Sequence, residues 1–89
     1  SVIAEPELDL QIEVGVSARV ILYNDEEHTF EEVSTQLMRA TGCSSSEAEA
    51  LTLTVHFKGK AMVFEGEIAP CLKVSGILEE IDLTTQVEC

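Results

Sequence analysis

Asn24-Asp25-Glu26-Glu27-His28 is the densest run of chemically able side chains in the sequence. Amide and carboxylate oxygens accept hydrogen bonds, so the run suits a ligand that donates them, such as an ammonium group. It equally suits a solvated acidic turn leading into a helix, and composition alone favours that turn. His56 is the other imidazole, beside Val55 and one helical turn after Thr52. As a neutral ring it accepts a proton from a ligand, a role that weakens in acid. The competing reading is a partly buried ring satisfied by backbone.

Other chemistries find no support in the spacing. His28 with Glu31 and Glu32 does not make the His-Glu-x-x-His of a zinc protease. Gly59-Lys60 is followed by Ala61 and has no glycine before it at phosphate-loop spacing, which leaves a helix stop. Cys43 stands near an expected helix N-terminus, where a thiol is more acidic, but no Cys-His arrangement accompanies it. A His28/His56/carboxylate metal site is conceivable on residue types alone. No cofactor is called for, and no enzyme is expected.

The chain has 89 residues, enough for one domain with a modest core. Seventeen acidic residues against 5 basic ones give a formal net charge of −12. That field disfavours nucleic acid and anionic membranes, and it suits cationic partners. It also simply keeps a small protein in solution. The 3 cysteines, Cys43, Cys71 and Cys89, form neither a disulfide framework nor a zinc cluster. A reducing, cytoplasmic setting is the simpler expectation.

The flanking elements follow from periodicity. Residues 1–15 read as an acidic, flexible N-terminal tail ending at Gly15, and residues 16–89 as the domain. Ser17 to Tyr23 is β-branched and aromatic, hence a strand. Thr29 and Glu32 make a capping box, and Phe30, Val33, Leu37 and Ala40 make one apolar face ending at Gly42. A second helix, capped at Ser44, Ser45 or Ser46, runs to about Phe57; Ser44 and Glu47 suggest a second capping box. It is apolar nearly all round, which predicts a central, well-covered helix. Lys58-Gly59-Lys60 ends it. A strand from Ala61 to Phe64 follows, then a helix from Glu67 to Leu78 with Pro70 in its first turn. Thr84 to Glu88 is the last strand. The order β-α-α-β-α-β predicts an α+β fold, two layers with helices on one face of a sheet.

Placed on these elements, two segments resemble the ClpS adaptors of ATP-dependent Clp proteases. One is Val20-Ile21-Leu22-Tyr23-Asn24-Asp25-Glu26, and the other is Val55-His56-Phe57-Lys58-Gly59-Lys60-Ala61. The interval from Asn24 to His56 matches without a gap, and Ala48 falls at a typical family alanine. Asn-Asp-Glu-x-His-Thr-Phe is also similar to the ClpS-like domain of UBR-type ubiquitin ligases. The resemblance spans roughly residues 18–75 and implies a three-stranded antiparallel sheet backed by three helices. It implies a cytoplasmic, monomeric adaptor that binds destabilising N-terminal residues (N-degrons) and delivers substrates to an AAA+ Clp unfoldase of the ClpA or ClpC kind. By the same resemblance Asn24, Glu26 and His56 hold the α-ammonium group. Leu22, Phe30, Val33, Thr52 and Val55 form the pocket for the first side chain, and Glu67 and Lys73 face the unfoldase.

Glu26 stands where bacterial adaptors carry Asp, Thr29-Phe30 replaces Pro-Met, and Thr52 replaces a pocket Met, giving a smaller and more polar wall. These departures leave open a ClpS-like protein that docks on an unfoldase without reading N-termini. The C-terminal domain of the ribosomal stalk protein is another alternative. It shares the element order and an Ala-Thr-Gly junction like Ala40-Thr41-Gly42, but its binding surface is typically rich in Lys.

Overall fold

The computed structural model describes residues 17–89, so the expected tail at 1–15 lies outside the described residues. Strand β1 (Ser17–Tyr23) alternates in burial. Ala18, Val20 and Leu22 are completely buried, while Arg19, Ile21 and Tyr23 are half-buried on the opposite face. This period of two is that of a sheet covered on one side. β1 is the central strand. It pairs antiparallel with β2 (Lys60–Glu67) on one edge and β3 (Thr84–Glu88) on the other. The order β-α-α-β-α-β and the three-stranded antiparallel sheet are as expected.

Helix α1 (Phe30–Thr41) begins with the full capping box. Thr29 Oγ1 accepts from the Glu32 N–H at 3.1 Å, and Glu32 Oε1 accepts from the Thr29 N–H at 2.8 Å. Helix α2 (Ser45–Lys58) departs from the expected box. Ser44 Oγ accepts from the Glu47 N–H at 3.1 Å, but the Glu47 carboxylate takes the Ser44 hydroxyl at 3.3 Å rather than its backbone N–H. Helix α3 (Ile68–Glu79) starts one residue late, after Glu67 in the N-cap position, with Pro70 in the first turn. Strand β2 runs past Phe64 because Glu65, Gly66 and Glu67 find partners in Arg19, Ala18 and Ser17.

The core joins Leu22, Leu37, Leu78, Val20 and Cys71 between sheet and helices. A buried polar residue also lies between α1 and α3: Gln36 Nε2 donates to the Ile77 carbonyl at 2.6 Å.

The expected central position of α2 is wrong. Only Ala48, Thr52 and Val55 are buried, a single stripe, and Leu53 and Phe57 are 46% and 78% exposed. The helical layer is one helix deep. α2 packs against α1 and β2, and among the described residues no further element covers its outer side. An apolar composition all round shows that a helix tolerates burial, not that a partner exists to bury it.

Candidate functional site

Three local devices bring the chemically able residues together. First, β1 ends at Tyr23, opposite Lys60, and the next backbone N–H, that of Asn24, donates to the Gly59 carbonyl at 2.9 Å. Gly59 ends α2 in the left-handed conformation, φ 89°. This contact ties the start of the acidic loop to the last turn of α2, which carries His56. Second, Asp25 folds the loop on itself: its Oδ1 accepts from the N–H groups of Glu27 and His28, both at 2.9 Å. Third, Thr29 starts α1 and so sets Phe30 and Val33 along the same opening.

The result is one recess of about 300 Å³. Its buried lining is Leu22, Val33, Thr52, Val55 and Leu83, and its exposed lining includes Asn24, Glu26, Thr29, Phe30, Leu53 and His56. Tyr23, Asp25 and His28 complete it. Every residue expected in the ammonium group or the side-chain pocket therefore lines this cavity. Glu67 and Lys73 do not: both are exposed, Glu67 at the N-cap of α3 and Lys73 in its second turn. Such a volume is at the small end for ligand sites, about 300–1,000 Å³. It matches one large side chain with its own backbone rather than a long segment.

The apolar interior and polar mouth divide the chemistry. Thr52 looks polar in sequence, but its hydroxyl donates to the Ala48 carbonyl at 2.7 Å. The expected extra polarity of that wall is thus spent within α2, and no polar ligand group is required opposite it. At the mouth, the side chains of Asn24 and Glu26 have no hydrogen-bond partner among the described residues, so their oxygens remain able to accept. His56 is exposed there, with Phe57 edge-on against its ring at 5.1 Å between centroids.

Asp25 and His28 belong to the loop rather than to its acceptor set. His28 Nδ1 lies 2.7 Å from Asp25 Oδ2, and its Nε2 meets the Ile81 carbonyl. The carbonyl contact, then the Asp25 bond, hold the His28 imidazole above its ordinary pKa despite the opposing cost of burial. Burial pushes the Asp25 carboxyl up, but the His28 and Glu27 N–H groups and the His28 ring outweigh it, and its pKa is lowered.

Four of the lining residues, Tyr23, Asp25, His28 and Thr29, adjoin the positions expected at the site in the same loop, and Leu53 follows Thr52. Leu83 carries no local signal, since it arrives from the α3–β3 turn. Among the described residues no group of three His, Cys, Asp or Glu is placed to hold a metal. Cys71 is buried, and burial raises its pKa, so it stays a thiol with little nucleophilic character.

Residues 16–82 match the sequence profile of the ATP-dependent Clp protease adaptor protein ClpS. The chain belongs to the ClpS family. ClpS proteins are non-catalytic adaptors of Clp proteases, which partner with Clp unfoldases and their substrates, so this chain is an adaptor and not an enzyme. The profile also decides between ClpS and the stalk domain, which element order could not separate. Among solved structures, Agrobacterium tumefaciens ClpS2 bound to L-phenylalaninamide shares the ClpS fold at a TM-score of 0.76 and 20% identity, covering 81% of this chain and 94% of that one. No curated protein sequence matches the chain. Among the described residues, no helix of this ClpS protein is long and apolar enough to cross a membrane.

Proposed function

We propose that this ClpS protein reads N-degrons, binding a large hydrophobic first residue and handing the substrate to a ClpA- or ClpC-like unfoldase. The supporting observation is the convergence of Asn24, Glu26 and His56 at the mouth of a recess lined by Leu22, Phe30, Val33, Thr52 and Val55. In this reading the ammonium group donates to the Asn24 amide oxygen, a Glu26 carboxylate oxygen and a neutral His56 nitrogen. The first side chain fills the recess. L-phenylalaninamide on the Agrobacterium protein has the same two features, a free amine and an aromatic side chain. Glu67 and Lys73 form part of the unfoldase interface, and the adaptor acts as a cytoplasmic monomer. Three free cysteines accord with a reducing compartment.

The two parts of the ligand contribute comparable amounts. Burial of a Leu or Phe side chain is worth about 1.5–3 kcal/mol. Each hydrogen bond to a charged group is worth about 1.5–3 kcal/mol, towards the lower end at this exposed mouth. Calorimetric titration with peptides differing only in the first residue tests the reading. Leu- and Phe-first peptides are expected to bind, and their Gly-first and N-acetylated counterparts to lose most of the affinity. H56A is expected to weaken only the free-amine peptides. Equal binding of Leu-first and Gly-first peptides would instead favour an adaptor that docks without reading N-termini.

A further inference from the structure

We propose that His28 is the positioning residue of the ammonium site: bridging the Ile81 carbonyl and the Asp25 carboxylate, it fixes the turn that presents Asn24 and Glu26 and joins it to the turn that supplies Leu83. The inference rests on the N-degron reading of the cavity but on none of the residues assigned there to ligand contact.

The argument begins with the two partners. A backbone carbonyl is always an acceptor, and so is an ionised carboxylate. His28 places one ring nitrogen against each. A neutral imidazole carries one N–H, so one of the two contacts would set a lone pair against an oxygen. Only the imidazolium donates at both nitrogens, and the side chain is 12% exposed, so water does not readily replace a lost partner. The raised pKa of His28 agrees with this geometry.

The surrounding charges favour the same state. Asp25 in the loop and Glu32 on α1 both stabilise the cation. In the α3–β3 turn, Ile81 stands between Glu80, paired with Arg39 at 3.5 Å, and Asp82. From α2, His56 lines the same cavity, and Glu26 and Glu27 flank His28 within the loop. Among the described residues no Lys or Arg lines the cavity.

The latch reaches both sides of the recess. On one side Asp25, holding the N–H groups of Glu27 and His28, shapes the turn between Asn24 and Glu26. On the other side Ile81 is two residues from Leu83, a buried member of the cavity wall. Deprotonation of His28 leaves one N–H, so one end of the bridge is lost and the mouth is uncoupled from the wall. Ligand affinity is expected to hold below the folded-state pKa of His28 and to fall as pH rises through it.

The test combines two measurements on the full chain. In the free protein, NMR titration should show the Asn24–Glu27 amide resonances moving with the imidazole of His28, at a midpoint above the ordinary 6.5. With a Phe-first peptide, the wild type should lose affinity on the alkaline side. H28Q, which cannot carry the charge, should bind about tenfold more weakly at pH 6.5 and lose the alkaline limb. Thermal melts of H28Q report whether it folds, and the wild-type titration needs no variant. Amides that ignore the His28 titration, or an H28Q protein with wild-type affinity and pH profile, would overturn the proposal. If no peptide binds while the amides still follow His28, the N-degron reading fails and the latch stands.

Discussion

One methyl group, added at two glycines, is expected to act with opposite sign. Gly59 closes α2 at φ 89°, ψ −19°, and Gly76 lies inside α3. At both, a Cβ would meet no atom within 4 Å, so neither change has a packing cost. What differs is the backbone. At Gly59 an alanine must hold the left-handed region, at a cost of roughly 1–2 kcal/mol. At Gly76 alanine suits a helix interior and narrows the unfolded ensemble, a gain of about 0.4–1 kcal/mol. Moreover, Gly59 cannot relax freely, because its carbonyl accepts from the Asn24 N–H and its N–H donates to the Val55 carbonyl, both at 2.9 Å. In a domain of this size 1 kcal/mol moves Tm by about 4–8 °C. G59A should therefore melt lower by about 4–16 °C. G76A should melt higher by about 2–8 °C. Paired calorimetric scans and urea titrations measure both. Changes of the same sign, or a G59A protein as stable as wild type, would refute the claim that backbone conformation rather than space decides these positions.

Two further outcomes follow from burial and charge. L37A removes a completely buried side chain shared by the helices and should cost about 2–5 kcal/mol in urea unfolding. F57A, at a position 78% exposed, should stay within about 0.5 kcal/mol of wild type despite removing a larger group. Stability should also depend on pH from both sides of the Asp25–His28 pair. The lowered carboxyl contributes above 3.8, and that contribution is lost as pH falls through its folded value. The raised imidazole contributes fully below 6.5, and that contribution is lost as pH rises through its folded value. D25N should flatten both limbs in melts taken across pH, and unchanged limbs would rule out the pair as their source.

The elements were legible because local chemistry specifies them. Thr29 with Glu32 marks a helix start whatever surrounds it, and Thr84–Glu88 was readable as a strand to the residue. The residues lining the cavity mouth were reachable through the family resemblance, whose Asn24–His56 interval the Asn24–Gly59 bond turns into proximity. What stayed hidden depends on distant partners. The bare side of α2 reflects the number of neighbouring layers, which no helical pattern encodes. His28 looked like part of an acidic turn because the carbonyl that gives it a role belongs to Ile81, 53 positions along the chain.

Tyr23 gives the chain a single-site optical property. The protein has no Trp and a single Tyr; that residue borders the cavity, and its hydroxyl donates to Gln86 Oε1 at 2.8 Å. Phenolic fluorescence from this chain thus originates wholly at one residue, at the end of β1. Changes around Tyr23 are therefore read from the protein's own emission, without a dye or an engineered label.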